Sequence, residues 1–415
     1  MSRIMKINKT MIFVFLFMFI NQYFAYLINA DYIKIFGIAA NDWSLIFDIF
    51  FGLYLIFKYR KLKKPKYEYK YIILWLILIC FIGSVMAFVN FGQPFFIGFR
   101  AHRVIIVSTL LYFPISKLLY NDIIKKEDIL RGVEAYIIFI LILYFVQFFL
   151  SKSGIYFLRV HIGKRYGNDR FYFDTLLLDF MYIYELNKTL NAKSKSPLPI
   201  LMCVGIALEI IVVQNYRLTF LGLAFVTVIA ILLSKIKKRD KFIFLTVLIM
   251  AGMFFLFATD TGRDLIKTFF DNNTANSTMT IRNAGRKFYM HSIENKMILG
   301  MGYPNNSANE AAKIVSGAQY NYYLADNGIF GFMFMYGLFG IAWFIALIAK
   351  IGLNGIKMFK NDRTVIYILV PIMFLFVCVN EIHWYWNSGP FILSFILLLS
   401  DYEKNRLLIG EKNGK

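Results

Sequence analysis

Apolar residues fall along this chain in runs of roughly twenty, each long enough to cross a hydrocarbon core of about 30 Å as a helix. Only helices and closed barrels satisfy their backbone groups in lipid, and the runs lack the period-2 alternation of a barrel, so the pattern predicts membrane-spanning helices. Twelve spans are expected, at 10–28, 42–57, 71–90, 101–116, 132–150, 171–187, 198–213, 218–234, 242–258, 326–349, 365–382 and 389–400. An even number puts both termini on one side of the membrane. The first run follows a basic start, Met1 to Lys9, as a signal peptide does. It is long and no small-x-small cleavage site follows it, so it reads as an uncleaved span.

One connection is far longer than the others. The expected organisation is nine spans with short loops over 1–258, a large outer loop over 259–325, and three spans with a tail over 326–415. No internal repeat or low-complexity tract interrupts it.

Composition agrees with a membrane protein. Hydrophobic residues make up 59% of the 415, against about 45–50% in a soluble domain. Cys80, Cys203 and Cys378 each sit inside an apolar run, which excludes a disulfide framework and leaves small packing residues. The net charge of +21 would suggest nucleic acid on a soluble protein. Here it is topogenic, and no nucleic-acid partner is expected. Of the 46 Lys and Arg, 30 fall on the side holding both termini and 16 on the other. The positive-inside rule makes the first side cytoplasmic, with the short loop at 58–70 carrying the most weight.

The two sides differ in kind as well as number. Nine of the 16 outer cations are Arg (100, 103, 159, 165, 170, 217, 263, 282 and 286), against six of the 30 inner ones. Topology needs only positive charge, which Lys supplies. Arg is the residue suited to bidentate phosphate binding, so the outer bias points to an anionic phosphate ligand.

Within the long loop, a polar stretch from Asp271 to Thr278 gives way to helix-compatible sequence from Met279 to Met297. Ile281, Ala284 and Phe288 make one apolar stripe, while Arg282, Arg286 and Tyr289 share a neighbouring face at i, i+4 and i+7. Two adjacent Arg forks suit a diphosphate. An interfacial helix touching lipid headgroups has the same pattern. Gly300-Met301-Gly302-Tyr303-Pro304 ends this helix and reads as a glycine-dependent turn. Next, Gln319 to Gly331 mixes Tyr320, Tyr322 and Tyr323 with Asn321, Asp326 and Asn327, the rings and polar groups that sugars use. An interfacial aromatic belt has the same composition. Arg217 lies in a very short turn with Gln214, Asn215 and Tyr216, and Arg159, His161, Lys164, Arg165 and Arg170 share the loop 151–170. Glu381, His383, Trp384, Tyr385 and Trp386 crowd another short outer turn. Asp48, Asp179, Glu185 and Glu209 are carboxylates within spans, functional candidates by default. Glu209 reads as an ion-pair partner of an outer Arg.

The stretch Thr280 to Ile341 resembles the O-antigen polymerase and O-antigen ligase superfamily. The matching features are Ile281-Arg282-Asn283-Ala284-Gly285-Arg286, the turn Leu299-Gly300-Met301-Gly302, then Tyr320-Asn321-Tyr322-Tyr323-Leu324 and Asp326-Asn327-Gly328-Ile329-Phe330-Gly331 leading into a span. Asn215-Tyr216-Arg217-Leu218 is similar to that superfamily's short Arg turn, and the layout of twelve spans with one large outer loop is similar too. Ligases of the superfamily place a His just before the Asn of the tyrosine motif. Tyr320 stands there in this chain, which favours polymerase over ligase. The spaced Arg and Gly that some polymerases carry in two outer loops has no clean copy.

The resemblance implies an all-α, polytopic, GT-C-like protein of a bacterial inner membrane, with both termini cytoplasmic and an extracytoplasmic site. It implies a metal-independent, cofactor-free transfer of an undecaprenyl-diphosphate-linked oligosaccharide to O-antigen or capsule. Membrane lipid and a chain-length regulator protein are the other expected partners. Arg217, Arg282 and Arg286 would bind the diphosphate, supported by Arg159, Arg165 and Arg170. Tyr320, Asn321, Tyr323 and Tyr289 would contact sugar. The base is left open among His291, Asp326 and Glu381. On helical spacing His291 falls about 180° from Arg282, which counts against both facing one substrate. A lipid-linked oligosaccharide flippase is the rival from another class, but it needs a charged central cavity and only short loops. A eukaryotic-type glycosyltransferase would carry paired acids in the first outer loop, where only the separated Asp31 and Asp42 occur. An ion-coupled transporter would show broken helices at matched positions in two repeats, and none is visible.

Overall fold

A computed structural model of the protein describes residues 8–29, 33–165, 168–191, 196–258, 262–263, 278–320, 322–362, 364–386 and 388–413. The polar stretch 271–277, Asn321 and Asp31 lie outside the described residues. The helices in chain order are α1 (Lys9–Asn21), α2 (Ala40–Lys58), α3 (Lys70–Phe91), α4 (Phe95–Ala101), α5 (Arg103–Leu110), α6 (Tyr112–Tyr120), α7 (Lys126–Ser151), α8 (Leu176–Leu190), α9 (Leu198–Leu208), α10 (Arg217–Leu233), α11 (Lys238–Ala258), α12 (Thr278–Ser292), α13 (Glu310–Val315), α14 (Gly328–Asp362), α15 (Ile366–Val377) and α16 (Gly389–Asn413). Two small antiparallel hairpins complete the described chain: β1 (Lys34–Ile35) with β2 (Ile38–Ala39), and β3 (Ile162–Arg165) with β4 (Asn168–Phe171).

This is an all-α, multi-pass membrane protein. Among the described residues, Ala40–Lys58, Lys70–Phe91, Arg103–Tyr120, Lys126–Ser151 and Ala325–Asp362 are long and apolar enough to cross a membrane. Lys9–Asn21, Leu198–Val213, Arg217–Leu233 and Ile366–Val377 are shorter apolar helices. Several expected spans differ in detail; the first, placed at 10–28, is α-helical only to Asn21. The one placed at 171–187 starts late, because Asn168–Phe171 pairs with Ile162–Arg165 as a strand and the helix begins only at Leu176. The one placed at 101–116 is preceded by the short α4, with buried His102 at the junction. The one placed at 326–349 continues to Asp362, with a break at Gly337.

α8 is buried on nearly every side, Asp179, Glu185 and Asn187 included. α16 packs on α5, α6, α8 and α14, so these helices form the centre. α1 lies on α7, and α10 on α15 and α8.

The long α14 breaks at Gly337, whose φ is +62°. A break exposes backbone groups, and in an apolar setting each must find a partner. The segment 297–302 supplies them. Leu338 and Phe339 N–H donate to Met297 and Ile298 carbonyls at 2.7 and 3.0 Å, and Met301 and Gly302 N–H donate to Phe334 and Met335 carbonyls at 2.8 and 3.0 Å. The Gly300–Gly302 turn therefore spends these N–H groups on the helix break. A Cβ at Gly337 would meet the Ile298 carbonyl oxygen at 2.4 Å. Gly337→Ala is expected to destabilise the protein by about 2 kcal/mol or more, seen as a lower Tm of the purified protein in detergent. An unchanged Tm would show that the break is not constrained by 297–302.

Candidate functional site

Four segments meet at one end of the bundle. The first is the β3–β4 hairpin, where Arg170 pairs across from Gly163. Its guanidinium lies against the rings of Tyr172 and Tyr216 at 4.4 and 4.6 Å, and Nε donates to the Gln214 carbonyl at 2.9 Å. These contacts hold the cation against two aromatic faces.

The second is the turn between α9 and α10. α9 ends in a π-helical turn, Glu209–Val213, a feature frequent at functional sites. Asn215 then takes a left-handed φ of +53° and the chain reverses into Arg217, which is buried. The Gln214 amide donates to both oxygens of the Glu209 carboxylate at 2.9 and 3.0 Å. The expected Arg partner of Glu209 is thus replaced by an amide, and the carbonyl of that same Gln214 receives Arg170.

The third is α12. Tyr289 turns into the core, its hydroxyl donating to the Ser316 and Tyr322 carbonyls at 2.7 and 3.0 Å. Arg286 donates to the Val379 carbonyl at 3.1 Å and to Asn380 Oδ1 at 2.6 Å, with its guanidinium 5.3 Å from the Phe330 ring. Among the described residues Arg282 makes one polar contact, an ion pair with Glu381 at 3.9 Å, beyond hydrogen-bond length. Nε of each of these two arginines is buried without an acceptor among the described residues. Burial, together with the charge of Arg282, lowers the pKa of Arg286.

The fourth is the turn 378–388. Asp174 accepts from the Ser388 backbone N–H and hydroxyl, and Thr175 Oγ1 and Asp179 Oδ2 lie 3.0 and 3.3 Å from His383 Nδ1. On the other side of the ring, His383 Nε2 donates to Glu381 Oε2 at 2.7 Å. Burial opposes charge on this imidazole. The carboxylates on both ring nitrogens outweigh burial and push its pKa up to about 10. Burial likewise opposes charge on Glu381, but His383, Arg282 and Arg170 hold its carboxyl below the usual range. The result is a row of alternating charge, Asp179, His383, Glu381 and Arg282. Asp326 stands within electrostatic reach of Arg282, Glu381 and Arg170, and its carboxylate makes no hydrogen bond among the described residues.

Of the residues singled out in the sequence, Arg170, Arg282, Arg286, Asp326 and Glu381 come together here. Arg217 begins α10 beside the same turn. His291 does not join them: it is exposed and pairs with Glu294 at 3.1 Å, as its helical spacing foreshadows. Arg159 is exposed. Arg165 lies on β3, paired in register with Asn168. Tyr320 and Tyr323 are exposed, and Tyr320 packs on Phe288 and Tyr322 at 5.9 and 5.7 Å between ring centroids. Tyr289 is fully buried, so its part is to hold the 316–322 segment. His383 and Gln214 were not expected as site residues. The sequence named both only as neighbours in short turns, His383 beside Glu381 and Gln214 beside Arg217. Among the described residues no group of three or more His, Cys, Asp or Glu is placed to hold a metal ion.

The architecture and site define a multi-pass helical membrane protein with a cationic, carboxylate-bearing site at the helix ends. Residues 202–345 match the family described as O-antigen ligase, which supports the resemblance to the O-antigen polymerase and ligase superfamily. The matched region contains Arg217, Arg282, Arg286 and Asp326, whereas Arg170, Glu381 and His383 lie outside it. No curated protein matches the chain.

Proposed function

We propose that this protein polymerises polyprenyl-diphosphate-linked repeat units into a bacterial surface polysaccharide, at an extracytoplasmic site in a twelve-span bundle with both termini cytoplasmic. The observation that carries the reading is Arg282. Its guanidinium, one-fifth exposed, stands beside Arg286 with no hydrogen bond among the described residues. A preorganised cation in a partly dry site stabilises charge that develops on a leaving group.

In the proposed step the acceptor sugar hydroxyl attacks the anomeric carbon of the growing chain. The bond from that carbon to the diphosphate oxygen breaks, and polyprenyl diphosphate leaves with the bonding pair. Arg282 and Arg286 take the new negative charge, with Arg170 and Arg217 beside them. The hydroxyl proton passes to Asp326. Glu381 is the poorer base, because a carboxylate already holding His383 has little proton affinity to offer. No step calls for a metal. The exposed rings of Tyr320 and Tyr323 offer faces for sugar, and Tyr320 in place of the ligase His favours polymerase.

Gel profiling of surface glycan in a deletion strain tests this. Polymerase loss leaves glycan capped by a single repeat unit, and the wild-type gene restores the ladder. Long free chains that never reach their anchor would instead identify the ligase. Trapping of lipid-linked units inside the cell would identify a flippase.

A further inference from the structure

Residues 59–69 connect α2 to α3 at the opposite end from the site. Lys58, Arg60, Lys61, Lys63, Lys64 and Lys66 are all exposed. The backbone beneath them is fixed to the body. Lys117 Nζ donates to the Tyr59 and Arg60 carbonyls at 2.6 and 3.1 Å, Asn121 to the Lys63 carbonyl at 2.9 Å, and Asn405 to the Lys66 carbonyl at 3.4 Å. Pro65 is buried between them. The side chains of Arg60, Lys61, Lys63, Lys64 and Lys66 make no ion pair among the described residues.

The one acid of this connection is turned the other way. Glu68 is 5% exposed and is shared by Lys350 and Lys404 at 3.0 and 2.6 Å. A topogenic signal needs net positive charge alone. It does not need the loop held rigid, nor its single carboxylate drawn inside so that the outer surface is purely cationic. The patch also continues directly into a lipid-facing surface. Ile56, Phe57 and Tyr71 are 53%, 69% and 78% exposed, and Lys58 and Lys70 lie over the rings of Tyr54 and Tyr71 at 5.0 and 5.6 Å. Charged heads at the level of the aromatic rings, with apolar side chains below, match an anionic headgroup above its acyl chains.

We propose that residues 58–66 form a docking surface for anionic phospholipid headgroups. The surface is independent of the glycan site, and its failure would leave the polymerase reading untouched.

The test titrates the full-length protein in detergent with phosphatidylglycerol or phosphatidylcholine and counts retained lipid by native mass spectrometry. Wild type is expected to retain phosphatidylglycerol preferentially, and the preference is expected to shrink as salt rises. Each cation near an anionic surface contributes about fivefold in affinity. Lys61→Gln, Lys63→Gln, Lys64→Gln and Lys66→Gln together therefore cost about 600-fold, and Lys→Arg at the same four positions costs little. The pair K63Q and K64Q gives a proportionately smaller loss and serves if the fourfold variant does not fold. Equal retention of the two lipids by wild type overturns the proposal, as does an undiminished preference in the Gln variants. Binding of soluble polyglutamate without a phosphatidylglycerol preference also overturns it, and would assign the surface to an acidic protein partner.

Discussion

Arg282→Gln lowers glycan transfer by about 10²–10³-fold, the usual cost of removing one preorganised group from a developing negative charge, and leaves the fold intact. The reason for expecting both lies in what Arg282 does not do. It has no hydrogen bond to lose among the described residues, and its ion pair with Glu381 is 3.9 Å long. Such a partly exposed pair contributes about 0–1 kcal/mol to stability. Arg286 is a less clean probe, because its guanidinium also fastens α12 to Val379 and Asn380. Arg282→Lys restores only part of the rate, since an ammonium cannot present two parallel donors to a phosphate. The measurement is transfer between lipid-linked repeat units in membranes, with protein level and Tm as controls. Full activity in Arg282→Gln would remove this residue from the leaving-group site.

Asp326→Asn abolishes the general base and costs about 10²–10⁴-fold. The isostere keeps the volume and the electrostatically quiet contacts, so the loss falls on turnover while substrate binding is kept. Glu381→Gln affects the site differently: it releases His383 Nε2 and the ion pair to Arg282, so it raises KM as well. The pH profile separates the two carboxylates further. His383 is an imidazolium through neutral pH, and as its pKa is pushed up to about 10, the alkaline limb of wild-type activity lies near there. Stability changes in the same direction: the contribution of the raised His383 pKa is fully present below the unfolded imidazole value and is lost as pH rises through about 10. In Asp326→Asn the acid limb disappears while the alkaline limb stays. If Asp326→Asn turns over at the wild-type rate, the proton goes elsewhere and Glu381 becomes the candidate.

Much of the site was legible because the positions that carry it are costly. Arg170, Arg217, Arg282 and Arg286 stand in the set of loops that carries fewer cations, and Asp326 and Glu381 are acids beside apolar runs. The tyrosines were less legible, since a buried Tyr289 and an exposed Tyr320 look alike in a string of letters. His291 and Arg159 drew attention by type alone, and type says nothing about which way a side chain points. His383 was harder still. Its partners Thr175 and Asp179 come from a helix two hundred residues earlier in the chain, and no local pattern encodes that meeting.

By itself the sequence determined that this is a helical membrane protein, because hydrocarbon imposes run length and backbone satisfaction on every local segment. Only the tertiary structure decided that Arg282 faces Glu381, that Gln214 stands between Glu209 and Arg170, and that segment 297–302 completes the break at Gly337. Those pairings depend on which helix ends meet. Packing of the whole bundle sets that, and no single run of residues contains it.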